Sequence, residues 1–189
     1  MAGPRRPDNV VIRERQPADD AAIAALNDTA FGGTYESRLV EDLRAAGLAM
    51  VELVAGEGTS EGTTIVGHIL FSALSATLSG KPVPALALAP MSVRPDRQRG
   101  GIGSALVRTG LGLARRNGWQ AVIVLGHPAY YPRFGFSAEA AARLASPYAG
   151  RPAFMALALE LTPRALTGDD GLVVYPPAFR LGDPKPPRG

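Results

Sequence analysis

The chain has 189 residues, of which 46% are hydrophobic, so it is long enough for one domain with a buried core and short for two. It contains no Cys, which excludes disulfides, thiolate catalysis and cysteine-held metals. The formal net charge of +3 is modest, and outside the turn at residues 94–99 the arginines are scattered, whereas a nucleic-acid binder more often carries a basic stripe with interleaved aromatic residues. No apolar run approaches the length of a membrane span, and residues 1–9 lack the apolar segment of a signal peptide. We therefore expect a cytoplasmic protein that holds no metal and binds neither nucleic acid nor a membrane.

The first half of the chain predicts a strand, two helices and three further strands. Pro17 at a first helical position, with Asp19 and Asp20 in the first turn, opens one helix, and Gly47 ends the next. A turn rich in Gly, Ser, Thr and Glu separates two apolar runs and predicts a hairpin. The predicted elements are, in order, a strand at residues 10–14, helices at 17–30 and 35–46, and strands at 48–55, 65–76 and 85–93.

The last of these strands runs into a glycine-rich turn, and residues 88–104 read LAPMSVRPDRQRGGIGS. Glycines let the backbone approach a ligand closely, and the first N–H groups of the helix that follows have no intrahelical partner, so together they form a site for phosphate. A loop that only needs positive φ angles would use the same glycines. A P-loop requires Gly-Lys-Ser/Thr, which is absent after Gly103, and a dinucleotide-binding fingerprint requires a third glycine where Leu106 stands.

The second half of the chain predicts two helices and three strands around an aromatic segment. Asn117-Gly118 ends the helix that follows the glycine turn, and the next strand is parallel to its predecessor if the crossover is an ordinary β-α-β unit. We expect residues 1–9 to be flexible, residues 10–181 to form a single domain, and the Pro-rich tail 182–189 to be disordered. The predicted strands lie at residues 120–125, 154–161 and 172–175, with the aromatic segment 127–136 and a short Ala-rich helix between the first two.

The glycine turn fits the pattern Gln/Arg-x-x-Gly-x-Gly/Ala, filled by Gln98, Gly101 and Gly103, with a valine strand and an Arg-Pro pair just before it. This motif resembles the acetyl-CoA pyrophosphate loop of the GNAT superfamily of N-acetyltransferases. The predicted order of elements also matches the GNAT fold over residues 10–161. The resemblance implies an α/β fold with an α+β mixed sheet, which is mostly antiparallel with one parallel β-α-β step at the CoA site. It further implies acetyl-CoA as cosubstrate and no metal.

In the GNAT family the strand before the glycine turn bulges and separates from its neighbour, and its free backbone groups pair with the pantetheine arm. We expect this break at Pro90, because proline cannot donate to a strand ladder. Arg94, Arg97 and Arg99 either contact the ribose phosphate or are ordinary solvated side chains. The residues that the resemblance assigns to the cofactor are Met91, Ser92, Val93, Gln98, Arg99, Gly100, Gly101, Ile102, Gly103 and Ser104.

A second motif follows the strand after the glycine-turn helix. Tyr131, Gly135 and Phe136 fill the pattern Tyr-x-x-x-Gly-Phe, in which the tyrosine hydroxyl of the GNAT family faces the CoA sulfur. The resemblance therefore implies Tyr131 as the catalytic residue, which stabilises the leaving thiolate and then supplies a proton. Aromatic clusters also commonly cap a core. Because Pro132 disfavours helix at the residue before it, Tyr130 could take the role instead.

The group that accepts the proton of the attacking amine is left open by the sequence. His68 has a suitable intrinsic pKa but stands on an apolar strand, where a histidine is commonly a core residue. Glu52 interrupts another apolar strand, and Glu36 follows the loop that lines the acceptor cleft in the GNAT family; each could equally be an ordinary charged side chain. His127 would serve equally well as a helix-entry residue. Water relayed to solvent could replace all four.

The resemblance implies an acyltransferase that moves the acetyl group of acetyl-CoA to a primary amine by direct aminolysis. Since no acidic groove is visible in the sequence, we expect the amine of a small molecule or a peptide rather than a basic, histone-like tail. Two other functions remain open: a non-catalytic acyl-CoA sensor domain, and a module that binds a nucleotide or another phosphate at the glycine turn. Both a monomer and a homodimer are compatible with the sequence.

Overall fold

The computed structural model describes residues 9–59, 62–145, 155–168 and 170–179. None of the helices within these ranges is long and apolar enough to cross a membrane. The strands are β1 (Val10–Glu14), β2 (Ala49–Thr59), β3 (Gly62–Leu78), β4 (Lys81–Val93), β5 (Ala121–Gly126), β6 (Leu144–Ala145), β7 (Met155–Glu160) and β8 (Gly171–Val174). The helices are α1 (Asp20–Phe31), α2 (Tyr35–Ala45), α3 (Ile102–Arg116) and α4 (Ala138–Ala142), with short 3-10 turns at Pro17–Asp19, Pro95–Arg97, Tyr131–Phe134 and Pro177–Phe179.

The strands form one mixed sheet with the order β1-β2-β3-β4-β5-β7. β8 pairs with β3 from Ser75 to Thr77, where β2 no longer reaches, and the short β6 pairs with β8. β4 and β5 are parallel and are connected through α3, whereas the other neighbours along the main path are antiparallel. The predicted mixed sheet, mostly antiparallel with a parallel β-α-β step, is therefore confirmed.

A layer of helices covers each face of the sheet. α3 buries Leu106 and Leu111 against one face, in a core cluster that includes Phe71 of β3. α2 buries Leu43 against the opposite face, in a second cluster that includes Leu70. Because side chains alternate along a strand, even-numbered residues of this part of β3 face the layer of α1 and α2, and odd-numbered residues face α3.

β4 is irregular close to its C-terminal end. Leu70 of β3 stands opposite two residues of β4, Ala89 and Pro90, so β4 bulges at the position where the sequence predicts a break. On its other side, β4 is paired with β5 only over residues 85–87. Residues 88–93 therefore continue beside the N-terminus of α3, and among the described residues they are not paired with β5.

The structure differs from the predicted elements mainly at their ends. The β2–β3 hairpin is longer than predicted, because the Thr- and Gly-containing ends of both strands continue the ladder. The first predicted helix begins as a separate 3-10 turn before α1. β6 was not predicted, since two residues carry no periodic pattern. Residues 1–8, residue 154 of a predicted strand, and the predicted tail 182–189 lie outside the described residues.

α3 packs so closely on the sheet that Gly110 has no room for a side chain. A Cβ atom there would lie 2.2 Å from Cε2 of Phe71, whose ring is fully buried. We expect Gly110→Ala to lower the free energy of unfolding by about 1–3 kcal/mol, because helix and ring must move apart. Gly112→Ala is the matched control in the same helix: its Cβ would meet only Arg116 Nη1, at 3.8 Å, so we expect a stabilisation of up to about 1 kcal/mol. Urea unfolding measures both, and equal effects would contradict the close packing.

Candidate active site

The glycine turn connects the end of β4 to the start of α3. After the 3-10 turn at Pro95–Arg97, the Nε2 of Gln98 donates a hydrogen bond of 3.1 Å to the Val93 carbonyl and so ties the turn to β4. Gly101 is the N-cap of α3 with a φ of 87°, a conformation that glycine adopts without strain. Since glycine offers no capping side chain, the first N–H groups of α3 stay available as donors to an anion.

Side chains from three elements meet beside this turn. A Cβ atom on Gly103 would lie 3.1 Å from Tyr130 Oη, 3.6 Å from Val93 Cγ2 and 3.7 Å from Met91 Cε. The Tyr130 hydroxyl is also 3.5 Å from Ser104 Oγ. The structure thus brings together four of the residues predicted to bind the cofactor, with Tyr130 next to them.

Two other residues predicted to bind the cofactor turn their side chains away from the turn. Ile102 is buried in the core under α3, so only its backbone can face a ligand there. Ser92 is 3% exposed and is the cross-strand partner of His68, which places its side chain on the face covered by α1 and α2. Its Oγ has no hydrogen-bond partner among the described residues.

Carboxylates hold two of the three arginines near the turn. Glu57 of β2 lies 3.1 Å from Arg97 and 3.6 Å from Arg94, and Asp96 pairs with both arginines. The hydrogen bonds from Arg97 keep the pKa of Glu57 below its usual value. Arg99 stands in the turn itself, exposed and with a φ of 63°.

Tyr130 and Tyr131 follow β5 side by side but have different surroundings. Tyr131 is 8% exposed, and its ring centroid lies 5.6 Å from that of Phe136 and 5.1 Å from that of Tyr130. Burial, and then the neighbouring Tyr130, raise the pKa of Tyr131 well above its usual value, so its hydroxyl stays protonated. Tyr130 is half-buried under the Arg133 guanidinium, 4.7 Å from the ring centroid, and its hydroxyl reaches α3.

Two of the four candidate proton acceptors lie in one hydrogen-bonded group. His68 Nε2 is 2.9 Å from Glu52 Oε1; the His68 side chain is 0% exposed and that of Glu52 is 9% exposed. His127 is exposed in the turn after β5. Glu36 is half-buried in the first turn of α2. The structure therefore joins His68 to Glu52 and places the other two candidates on different elements.

Residues that the sequence did not single out complete this group. Arg44 of α2 donates from Nε to Glu52 at 3.0 Å and also contacts Asp20 of α1 at 3.1 Å. Asn27 is fully buried on α1, with its Nδ2 3.4 Å from His68 Nδ1. An amide on the apolar face of a predicted helix is the one signal in the sequence that could have drawn attention to Asn27. We call Asn27, Arg44, Glu52 and His68 the His68 group.

The charges of this group follow from its contacts. Burial disfavours the charge on Glu52, but hydrogen bonds from His68 and Arg44 outweigh it and lower the pKa of Glu52 to about 2. Burial lowers the pKa of His68 despite the attraction of Glu52, so the imidazole is neutral. Because an ionised carboxylate only accepts hydrogen bonds, His68 Nε2 carries the proton and donates a hydrogen bond to Glu52. Nδ1 is then the unprotonated nitrogen, which accepts from the Asn27 amide.

The ionised state of Glu52 makes stability depend on pH. A carboxylate whose pKa falls from 4.5 to about 2 on folding stabilises the fold fully above pH 4.5, and this contribution is lost as the pH falls toward 2. We expect the difference in unfolding free energy between the wild type and Glu52→Gln to narrow by about 2 kcal/mol between about pH 6 and about pH 3. Glu41→Gln, on the exposed side of α2, controls for the loss of one negative charge. Urea unfolding at both pH values measures this difference in unfolding free energy. A difference that stays the same at both pH values would contradict the ionised state assigned to Glu52.

β4 and β5 separate beside the glycine-capped start of α3, with the Tyr130 hydroxyl next to it, and this arrangement fits an acyltransferase of the acyl-CoA-dependent class. Residues 11–138 match the family described as "Acetyltransferase (GNAT) domain". The chain belongs to this family, and the resemblance seen in its motifs is confirmed. Among the described residues, no group of three His, Asp or Glu side chains is arranged to hold a metal ion.

Relatives and solved structures agree with this assignment. The chain is 32% identical over 166 residues to the uncharacterized N-acetyltransferase YhbS of Escherichia coli K12, covering 88% of this chain and 96% of the relative. It is 40% identical over 130 residues to the uncharacterized N-acetyltransferase YjhQ of the same organism, covering 66% and 67%. The crystal structure of E. coli YhbS in complex with CoA superposes with a TM-score of 0.80 over 95% of this chain and 96% of that one, at 32% identity. A GNAT family acetyltransferase from Brucella melitensis in complex with acetyl-CoA gives 0.71 over 90% and 97%, also at 32% identity.

Proposed function

We propose that this protein transfers the acetyl group of acetyl-CoA to the primary amine of a small molecule or peptide by direct aminolysis. The observation that carries the proposal is the position of the glycine turn beside residues 88–93 of β4, which have left the ladder with β5. CoA consists of a pyrophosphate joined to an extended pantetheine arm, so its site needs an anion-binding helix start next to a free strand edge. The CoA and acetyl-CoA in the E. coli and B. melitensis structures support the same cosubstrate for this chain.

The glycine turn and β4 would share the binding of CoA. The backbone N–H groups at the start of α3 would hold the pyrophosphate, while the free edge of β4 would pair with the pantetheine arm. Arg99 is the exposed arginine of the turn and is assigned to the ribose phosphate, since Arg94 and Arg97 already pair with carboxylates. The proposed binding residues are Met91, Ser92, Val93, Gln98, Arg99, Gly100, Gly101, Ile102, Gly103 and Ser104.

Tyr131 is proposed to act on the leaving group. The amine nitrogen attacks the acetyl carbonyl, the C–S bond breaks, and CoA leaves as a thiolate. A thiol has a pKa near 8.5, and the pKa of the Tyr131 hydroxyl is raised above its usual value, so complete proton transfer from Tyr131 to sulfur is uphill. Tyr131 therefore donates a hydrogen bond to the developing thiolate, and water completes the protonation. The Tyr130 hydroxyl, next to Ser104, is assigned to contact with the bound CoA.

The charges near the site support a small or peptide amine as acceptor. Glu52, Glu57 and Asp96 are each paired with arginine, so they do not form a free acidic patch of the kind that attracts a basic tail. The test is a CoA-release assay with a thiol reagent over a panel of small primary amines, peptides with a free α-amine, and polylysine. We expect turnover with members of the first two classes, confirmed by mass spectrometry of the acetylated amine. A strong preference for polylysine would refute this acceptor class, and CoA release with no amine acetylated would refute the transfer itself.

A further inference from the structure

The His68 group is a buried cluster of polar side chains, and none of its members has a role in the acyl transfer proposed above. His68 has no exposed surface, yet one ring nitrogen contacts Glu52 and the other contacts Asn27. A histidine that served packing alone would not require a carboxylate beside it, because burying a carboxylate is itself unfavourable. Glu52 fixes the tautomer of His68 and would stabilise an imidazolium, and Nδ1 is the nitrogen that can take up a proton.

Two buried polar atoms on residues that adjoin His68 have no hydrogen-bond partner among the described residues, Asn27 Oδ1 and Ser92 Oγ. Ser92 and His68 are cross-strand partners, so their Cβ atoms stand about 4.5–5.5 Å apart on one face of the sheet. Ser92 also belongs to the part of β4 that has left β5. Its backbone therefore lies in the proposed acyl site, while its hydroxyl lies on the side of His68.

We infer that His68 accepts the proton that the attacking amine releases, and that the Ser92 hydroxyl relays it. This inference rests on the proposed function, because the relay has a role only if acyl transfer occurs beside residues 88–93. Asn27 and Glu52 are positioning residues in this scheme: Asn27 keeps Nδ1 directed toward the α1 side of the sheet, and Glu52 holds the opposite nitrogen.

The protons balance along this path. Formation of the C–N bond leaves a positive charge on the amine nitrogen, which gives one proton to Ser92 Oγ as Ser92 gives its own proton to His68 Nδ1. In this step the Asn27 amide turns, so that its unpaired Oδ1 accepts from the new N–H in place of the N–H that Asn27 had donated. The imidazolium is then paired with the Glu52 carboxylate. C–S cleavage yields the amide and the thiolate, which is protonated from water beside Tyr131. After the products leave, His68 gives the proton on Nδ1 back through Ser92 Oγ to water in the acyl site, which restores the Nε2–H tautomer.

The charges around His68 determine the direction of the pH dependence. The charged groups that face it are Glu52 from β2, Arg44 from α2 and Asp20 from α1, while β4 contributes the uncharged Ser92. Because burial lowers the pKa of His68 from 6.5, His68 is neutral and able to accept a proton above that pH. The contribution of His68 to activity is therefore expected to be lost only as the pH decreases below 6.5.

Nitrogen NMR measures the state of His68 directly, since the chain contains only two histidines. In His127→Asn the sole imidazole is that of His68, and its nitrogen shifts report both tautomer and pKa. We expect the Nε2–H tautomer, with Nδ1 unprotonated. A proton on Nδ1 at neutral pH would overturn the inference, because that nitrogen could then accept no other.

Two substitutions should move the pKa of His68 in opposite directions. Glu52→Gln removes the attraction that favours the imidazolium and lowers the pKa of His68, whereas Asn27→Asp places a carboxylate beside Nδ1 and raises it. We expect the acid limb of kcat, at saturating amine, to follow the NMR value in each variant, and kcat of Glu52→Gln to fall at least about tenfold. Glu41→Gln is the control for one lost carboxylate. An acid limb that stays in place while the pKa of His68 moves, or one that disappears in His127→Asn, overturns the inference.

Ser92→Ala tests the relay without introducing a buried charge, so it also covers the case in which the charge-changing variants fail to fold. We expect kcat to fall about tenfold or more with an unchanged KM for acetyl-CoA, and Ser92→Thr to restore most of it. An unchanged kcat in Ser92→Ala removes the relay. Acetylation by the wild type is measured first, with the fastest amine of the panel. A wild type that acetylates no amine refutes the proposed function, whereas one that acetylates an amine with an unmoved acid limb refutes only the inference.

Discussion

Tyr131→Phe is expected to lower kcat on the order of 100-fold, or about 2.7 kcal/mol in the barrier, while the affinity for acetyl-CoA changes little. The substitution removes one hydroxyl and keeps the ring, whose contacts with Phe136 and Tyr130 hold it in place. The loss appears in kcat because the hydroxyl acts on charge that develops on sulfur only as the C–S bond breaks. Steady-state kinetics of CoA release give kcat and KM, and a direct titration gives the affinity.

Tyr130→Phe is the matched variant, one residue away. Its hydroxyl lies 3.5 Å from Ser104 Oγ at the start of α3, so we expect its removal to raise KM for acetyl-CoA severalfold and to leave kcat nearly unchanged. A kcat loss carried by Tyr130→Phe alone would assign the donor to Tyr130. If neither variant slows CoA release, both tyrosines are packing residues and solvent stabilises the thiolate.

Gly101→Asp is expected to abolish the stabilisation that CoA gives to the fold. A ligand at about 100 times its Kd raises the free energy of unfolding by about 2.7 kcal/mol, and this increment should vanish. The carboxylate would stand at the N-cap of α3, where it repels phosphate and occupies its place. Thermal unfolding with and without CoA measures the increment separately from any change in the ligand-free protein.

Gly118→Asp controls for the backbone strain and the added charge. Gly118 follows the other end of α3 with a φ of 83°, close to that of Gly101, and a Cβ atom there would meet nothing within 4 Å. We expect this variant to lose stability as Gly101→Asp does but to keep its full response to CoA. The phosphate site is wrongly assigned if Gly101→Asp keeps the response, or if both variants lose it.

The glycine turn and the break in β4 could be predicted because their determinants are local. Gln98, Gly101 and Gly103 stand within one turn of chain, and the missing N–H of Pro90 restricts pairing whatever the rest of the fold does. The parallel β4–β5 step followed from the helix between the two strands. The position of the β2–β3 hairpin was also predicted from a local signal, the turn between two apolar runs. Its length was not, because the Gly- and Thr-rich residues next to the turn have the composition of a loop and yet continue the ladder.

The His68 group could not be predicted, because its contacts join distant parts of the chain. Asn27 and His68 are 41 positions apart, and Glu52 and His68 are 16 apart. Each of these residues alone fits an ordinary role, as a helix residue, a core histidine or a strand-edge charge. Only the register between β2 and β3 and the packing of α1 over them show that the three side chains meet.

The roles of Tyr130 and Tyr131 could not be separated from the sequence. Pro132 disfavours helix at the residue before it, and in the structure Tyr131–Phe134 forms a single 3-10 turn. Neighbouring residues on such a turn differ in direction by about 120°, so motif spacing alone does not decide which hydroxyl faces a ligand. The structure separates the two: the Tyr130 hydroxyl reaches Ser104 at the start of α3, whereas Tyr131 is buried in the core cluster that includes Phe136.

A crystal structure of the protein with CoA tests the central claim most directly. We predict the pyrophosphate at the N–H groups of residues 101–104, the pantetheine arm along residues 88–93 of β4, and the sulfur within hydrogen-bond distance of the Tyr131 hydroxyl. CoA bound away from the start of α3, or a pantetheine arm that does not enter between β4 and β5, would contradict it.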